Sequence, residues 1–184
     1  MRKVGITSAF AVGLAFFGLT SAFAGLVDSP IPDMDPSHPE RAIYFVPGVI
    51  KNNNLETEFN CTNLDSQVVR IGVEIFDEQG NGPLNDISSG VADGAQDVPI
   101  GGAVTIGTGN TPAIHESEVI QFLSLTPPIN VRNGSARIIS TSKRVICHAF
   151  VVDQFSDPDP PPPALPEAPA MLPLRIISRK QRGD

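Results

Sequence analysis

The 184-residue chain has no tryptophan, one tyrosine, two cysteines and three histidines, and only 6% of its residues are aromatic. So few rings count against a sugar site built on aromatic stacking platforms. Cations are in the minority, 13 Lys and Arg against 20 Asp and Glu, giving a net charge of −7. Neutralising a phosphate backbone needs clustered Lys and Arg, so a nucleic-acid partner is excluded. Sustained heptads are missing too: 16 Gly and 18 Pro are scattered through the chain, where a coiled coil needs neither. The Gly-x-Ser-x-Gly elbow, the His-Glu-x-x-His zinc motif and a phosphate-cradling Gly-rich loop do not occur.

What is present begins with an export address. Arg2 and Lys3 precede the uncharged apolar stretch Val4 to Leu19, and Ala22-Phe23-Ala24 has the small-x-small pattern that signal peptidases cut. Residues 1–24 read as a cleaved secretory signal, and the rest of the chain is expected outside the cytoplasm, extracellular or periplasmic. No second apolar run of about 20 residues follows, so no membrane span is expected after cleavage. Losing Arg2 and Lys3 leaves −9 on the 160 residues from Gly25. Five prolines precede residue 48, five lie between 48 and 156, and eight lie between 157 and 173. This division reads as an extended N-terminal arm, 25–40, a folded domain, 41–156, a polyproline II linker, 157–173, and a basic C-terminal tail, 174–184.

Within the domain the main signal is apolar alternation with period two. Leu55, Thr57, Phe59 and Cys61 share one face of a strand, with Glu56, Glu58, Asn60 and Thr62 on the other. Val69, Ile71, Val73 and Ile75 form the next apolar face, opposed by Arg70 and Glu74, and Asp65-Ser66 supplies a turn. The pair reads as a hairpin with one buried and one wet side. Further strands are expected over Ala42 to Val46, Ala103 to Gly107, Val119 to Leu125, Ala136 to Thr141 and Val145 to Asp153. Ser142-Lys143-Arg144 is short enough to make a hairpin of the last two. About seven short strands and no convincing 3.6-residue period predict an all-β fold, an antiparallel β-sandwich. A small β-barrel or jelly roll would give the same periodicity.

Export gives the two cysteines a meaning, because an isolated pair in an oxidising compartment reads as a disulfide. Cys61 and Cys147 are 86 positions apart, and bridging them restricts the unfolded chain by about 4.5 kcal/mol in the loop-entropy picture. Cys61 shares its face with Phe59, and Cys147 shares its face with Val145, Ala149 and Val151, so both point inward. A bridge between two inward faces resembles the layout of immunoglobulin-like sandwiches, without their tryptophan. The segments Thr57-Glu58-Phe59-Asn60-Cys61-Thr62-Asn63 and Gly134-Ser135-Ala136-Arg137-Ile138, followed by Cys147, resemble those of uncharacterised exported bacterial proteins. That resemblance assigns no chemistry and no residue roles.

A catalytic set is hard to assemble. His38 lies in the proline-rich arm, His115 in a loop, and His148 on a strand where its neighbour Cys147 points to the opposite face. His148 is expected to be buried and hydrogen-bonded, on a strand that is apolar on both sides. His115-Glu116-Ser117-Glu118 lacks a second histidine at ligand spacing. The Asp77-Glu78-Gln79-Gly80-Asn81-Gly82 segment, with Asn85 and Asp86, superficially resembles a calcium loop, and Asp93 with Asp97 forms a second acidic group. The first departs from EF-hand spacing and reads as a tight turn. No catalytic residue, cofactor or metal site is assigned, and the chain is not expected to be an enzyme.

The ends carry the functional expectation. Arg175, Arg179, Lys180 and Arg182 against Asp184 give the tail +3, which leaves −12 on residues 25–174. Such opposite charges favour docking, within the molecule or onto the next. Leu174, Arg175, Ile176 and Ile177 read as a strand and, with Arg179 and Lys180, as the assembly segment. Extended arms beside a β-domain suit strand addition to a neighbouring sheet. The sequence therefore reads as a structural or adhesive exported protein whose partner is another protein or itself. A carbohydrate- or calcium-binding module is the alternative, and a secreted hydrolase comes third. The terminal Arg182-Gly183-Asp184 matches the integrin tripeptide and is given no weight.

Overall fold

The computed structural model describes residues 25–52, 55–88, 94–109, 117–124, 129–153 and 172–178. The expected signal, Asp93, His115, Glu116, linker residues 157–171, Arg179, Lys180 and the terminal tripeptide lie outside the described residues. Ten strands and no helix occur among the described residues. They are β1 (Arg41–Lys51), β2 (Leu55–Asn63), β3 (Val69–Phe76), β4 (Ala95–Val98), β5 (Ala103–Gly107), β6 (Glu118–Val119), β7 (Val131–Ser140), β8 (Val145–Asp153), β9 (Leu172–Leu174) and β10 (Ile177–Ser178). One sheet has the order β10-β1-β7-β3-β4 and the other β6-β5-β2-β8-β9, and every pairing is antiparallel except β5 with β6. The all-β sandwich is as expected, with more strands than the seven anticipated.

Alternation decides what fills the space between the sheets. Phe59 and Cys61 from β2, Val69, Ile71, Val73 and Ile75 from β3, and Val145, Cys147 and Ala149 from β8 form one buried cluster. These branched and aromatic side chains suit a pleated, covered face, which is why the period-two reading located it. β5 and β8 occupy the expected residues, whereas of the segment expected as a strand from Val119 to Leu125, Val119 alone among the described residues is strand, as the end of β6.

The two expected hairpins are absent, and both connections cross between sheets instead. β2 pairs with β5 and β8, whereas β3 pairs with β4 and β7. Asn63, fully buried at the end of β2, makes the first crossing: its side-chain amide donates to the carbonyls of Gln67 (2.8 Å) and Val98 (3.0 Å). Its side-chain oxygen accepts from the Asp65 backbone N–H at 2.7 Å. β7 to β8 makes the second crossing beside it. The two arches are tied where the Leu64 N–H donates to the Arg144 carbonyl (2.8 Å) and the Ser142 hydroxyl donates to Asp65. That hydroxyl, chief among several hydrogen bonds, holds the Asp65 carboxyl below its usual range.

The Cys61–Cys147 disulfide is present, but it does not join the sheets. The two residues are register partners on β2 and β8, neighbours in one sheet, with Cα atoms 4.1 Å apart. That spacing marks a non-hydrogen-bonded antiparallel pair, where side chains approach most closely. The bridge therefore reinforces a nine-residue ladder, Leu55↔Asp153 to Asn63↔Val145, near the end that carries Asn63. The inter-sheet tie on this side is different: the Tyr44 hydroxyl of β1 donates to the Val145 carbonyl of β8 at 2.6 Å.

Candidate functional site

The outer faces of the sandwich are less wet than alternation suggests. Glu56 and Glu58 on β2 and Glu74 on β3 are all buried. For Glu74 the cover is the N-terminal segment, which turns over its own sheet instead of extending away. Residues 25–29 form a turn in which the Ser29 N–H donates to the Gly25 carbonyl at 2.9 Å. Met34 then enters a second small apolar cluster with Ala42, Ile87, Ala95 and Ile139. A side chain at Gly72 would collide with Met34 and Ile87, so the bare backbone of β3 is what lets this cover approach.

Arg137 anchors the cover. It stands alone as a charge within the apolar run Ala136 to Ile139 of β7 and is 1% exposed. Its Nε donates to Glu74 at 2.7 Å, and one terminal nitrogen contacts the same carboxylate oxygen. The terminal nitrogens also donate to the Ser29 carbonyl (2.7 Å) and the Pro30 carbonyl (2.9 Å). The guanidinium lies 5.7 Å from the Phe76 ring centroid, within cation–π range. Burial pushes the Glu74 carboxyl above its ordinary value, opposed by the charge and hydrogen bond of Arg137. The cluster has the composition of an active-site ion pair, but Glu74 is committed to Arg137 and Arg137 to holding the arm. A lone charge in an apolar strand was the sequence signal for it.

His38 and His148, the two histidines among the described residues, have separate neighbours. His115 is outside the described residues. His148, expected buried, is exposed on the outer face of β8, where it lies 6.4 Å from the Phe150 ring. Its strand is covered along its whole inner face, where Val145, Cys147, Ala149 and Val151 are buried, but only in part on its outer face, where Ile146 and His148 are exposed, Phe150 is half-buried and Val152 is buried. His38 meets a serine and an aspartate that sequence spacing did not single out. Asp35 accepts from the Ser37 hydroxyl at 2.6 Å and from His38 Nδ1 at 2.8 Å, and Ser37 Oγ is itself 2.8 Å from that ring nitrogen. A catalytic triad holds the acid and the nucleophile on opposite ring nitrogens. Here both crowd Nδ1 within one turn, and the serine proton is directed at the aspartate. The Ser37 hydrogen bonds, helped by His38, hold the Asp35 carboxyl down to about 2.

The acidic loop is likewise self-contained. Asp77 accepts from the backbone N–H groups of Gln79 (2.9 Å) and Asn81 (2.7 Å) and from the Asn81 amide (2.9 Å), as an Asx-type turn does. Asn85 accepts from the Ile75 N–H and donates to the Val73 carbonyl, so it belongs to the interior rather than to a cation shell. Asp86 accepts from Ser88, which lowers its carboxyl. No group of three or more His, Cys, Asp or Glu with metal-holding geometry occurs among the described residues.

The C-terminal residues occupy a more consequential position. Leu172 and Pro173, read from sequence as the end of the linker, belong to β9 with Leu174, and β9 pairs with β8. Arg175 and Ile176 then cross to the other sheet, where Ile177 and Ser178 pair with Phe45 and Tyr44 of β1. One seven-residue segment thus caps an edge of both sheets. Leu174 and Ile176 pack against the main core, while Leu172 and Ile177 are 64% and 46% exposed. Pro173 is opposite Phe150, and alternation from the Cys61↔Cys147 pair makes this a non-hydrogen-bonded position of the β8–β9 ladder. The missing proline N–H therefore faces outward, and the ladder loses nothing.

No protein-family model, no curated protein and no solved structure matches this chain. The disulfide is compatible with an extracellular or periplasmic setting. No helix among the described residues is long and apolar enough to cross a membrane.

Proposed function

We propose that this chain is an exported, non-enzymatic structural or adhesive protein that associates with copies of itself through its C-terminal segment. One observation carries the reading: Leu172–Ser178 caps an edge of both sheets, yet eighteen residues, 154–171, separate it from the preceding strand. Edge strands are where β-proteins join one another, and a tethered edge segment is the usual vehicle. The export pattern of residues 1–24 and the disulfide support placement outside the cytoplasm. The carbohydrate or calcium reading has weaker support, since Asp77, Asn85 and Asp86 are engaged in the bonds of their own loop and core.

Light scattering on a concentration series of the full chain, followed by electron microscopy of the largest species, tests the reading. The expected result is a mass above that of one chain, increasing with concentration. A single-chain mass at every concentration overturns it.

A further inference from the structure

We propose that the Leu172–Ser178 segment is exchanged between copies, so that β9 and β10 of one chain close the β8 and β1 edges of another. This rests on the self-association reading above and specifies its partner, a second copy of this chain, and its contact.

The register makes the argument. β8 ends at Asp153, and Leu172 is paired with Val151, so within one chain the connection leaves and re-enters at almost the same place. Antiparallel neighbours are joined by two to five residues. This connection has eighteen, of which seven are proline, including the run Pro160–Pro163. Chains of such composition favour the polyproline II rise of about 3.1 Å per residue, on the order of 55 Å over eighteen residues. The gap to be closed within one chain is a single strand spacing, roughly 5 Å. A tether whose natural span far exceeds the gap lowers the effective concentration of the segment at its own edge. Reaching the edge of another molecule uses that span instead.

The segment itself suits exchange. It forms five ladder positions, three to β8 and two to β1, and inserts Leu174 and Ile176 into the core. Another copy offers the same register and the same core edge, so exchange keeps every one of these contacts and changes only the path of the connection. Without the segment, β1 and β8 would be bare edges. Each chain carries one donor and one acceptor, so mutual exchange closes a two-fold dimer and sequential exchange builds an open row.

Phe150 and Pro173 provide the test, being non-hydrogen-bonded partners across β8 and β9, one partly buried and one exposed. Chains carrying Phe150→Cys and chains carrying Pro173→Cys are mixed at high concentration and oxidised. Exchange is expected to yield a covalent dimer of one chain of each kind, identified by mass. A second variant lacking residues 156–169 keeps a four-residue connection, which suffices for docking within one chain and is too short for exchange. It is expected to melt at or above the temperature of the full chain and to remain at single-chain mass. The proposal is overturned if the mixture gives no mixed dimer while a chain bearing both cysteines cross-links internally. It is equally overturned if the shortened chain shows the same mass distribution as the full chain. In either case, a full chain still larger than one copy leaves self-association standing and removes exchange alone; a full chain of single-copy mass removes both.

Discussion

Replacing Arg137 by leucine tests the account of the covered outer face most directly. The substitution keeps an apolar side chain in β7 but removes the counter-ion of Glu74 and the donors to the Ser29 and Pro30 carbonyls. A buried carboxylate left without its partner costs about 3–5 kcal/mol, a large share of the roughly 5–15 kcal/mol that holds a domain together. The arm responds differently, because its carbonyls can reach water by lifting off the sheet. Urea unfolding followed by circular dichroism is expected to show that loss at neutral pH, and limited proteolysis to show new cutting between residues 25 and 34. The pH dependence has a definite sign. Burial raises the folded-state value of Glu74, so the native state holds its proton more tightly than the unfolded chain does. Its contribution is fully present below the ordinary carboxylate value and is lost as pH rises through the raised one. Without Arg137 the raised value climbs further, so the deficit of the variant should shrink as pH falls into the carboxylate range. The double substitution Glu74→Leu with Arg137→Leu removes the stranded charge and should recover most of the urea midpoint, while the arm stays protease-sensitive. A single variant within about 0.5 kcal/mol of the parent, the scale of an ordinary surface change, or a deficit that ignores pH, would show that the Arg137–Glu74 pair does not hold this face.

Two further outcomes follow from the core. Replacing Cys61 and Cys147 together by alanine should cost about 2–5 kcal/mol and lower the melting temperature by roughly 5–20 °C; reductant should do the same to the parent and nothing to the variant. Gly134→Ala should destabilise by about 1–3 kcal/mol in urea titrations, because its methyl group would run into the Phe76 carbonyl and the Val131 side chain. Backbone on one side cannot swing away.

Period two located most of the side chains that go inward, but not Leu55, which alternation puts on the inner face of β2 and which is exposed at the end of the strand. Phe59, Cys61, Ile71, Val73, Val145, Cys147 and Ala149 are all in the core, and the fold class and the disulfide follow from them. What the period cannot encode is which strand neighbours which. Asp65-Ser66 has turn chemistry suited to a hairpin as well as to an arch, and it is buried Asn63, reaching across to Val98, that makes the arch. The same blindness turned the cystine into an inter-sheet tie, although both cysteines face the core of one sheet. Glu74 looked wet because its cover comes from residues more than forty positions earlier. Pro173 looked like linker because proline is excluded from sheet interiors, yet at an outward-facing edge position it fits.

The order of synthesis gives the C-terminal segment a temporal meaning. β1 and β8 are complete once residue 153 has emerged, but the residues that cap them, 172–178, are the last strands of the described chain. The twenty-five residues from Gln154 to Ser178 must still follow before either edge can be capped. A β-sandwich whose edges are capped by its last two strands is therefore complete through β8 while still receptive, and which chain supplies the closing strands is decided after the rest of the fold is in place.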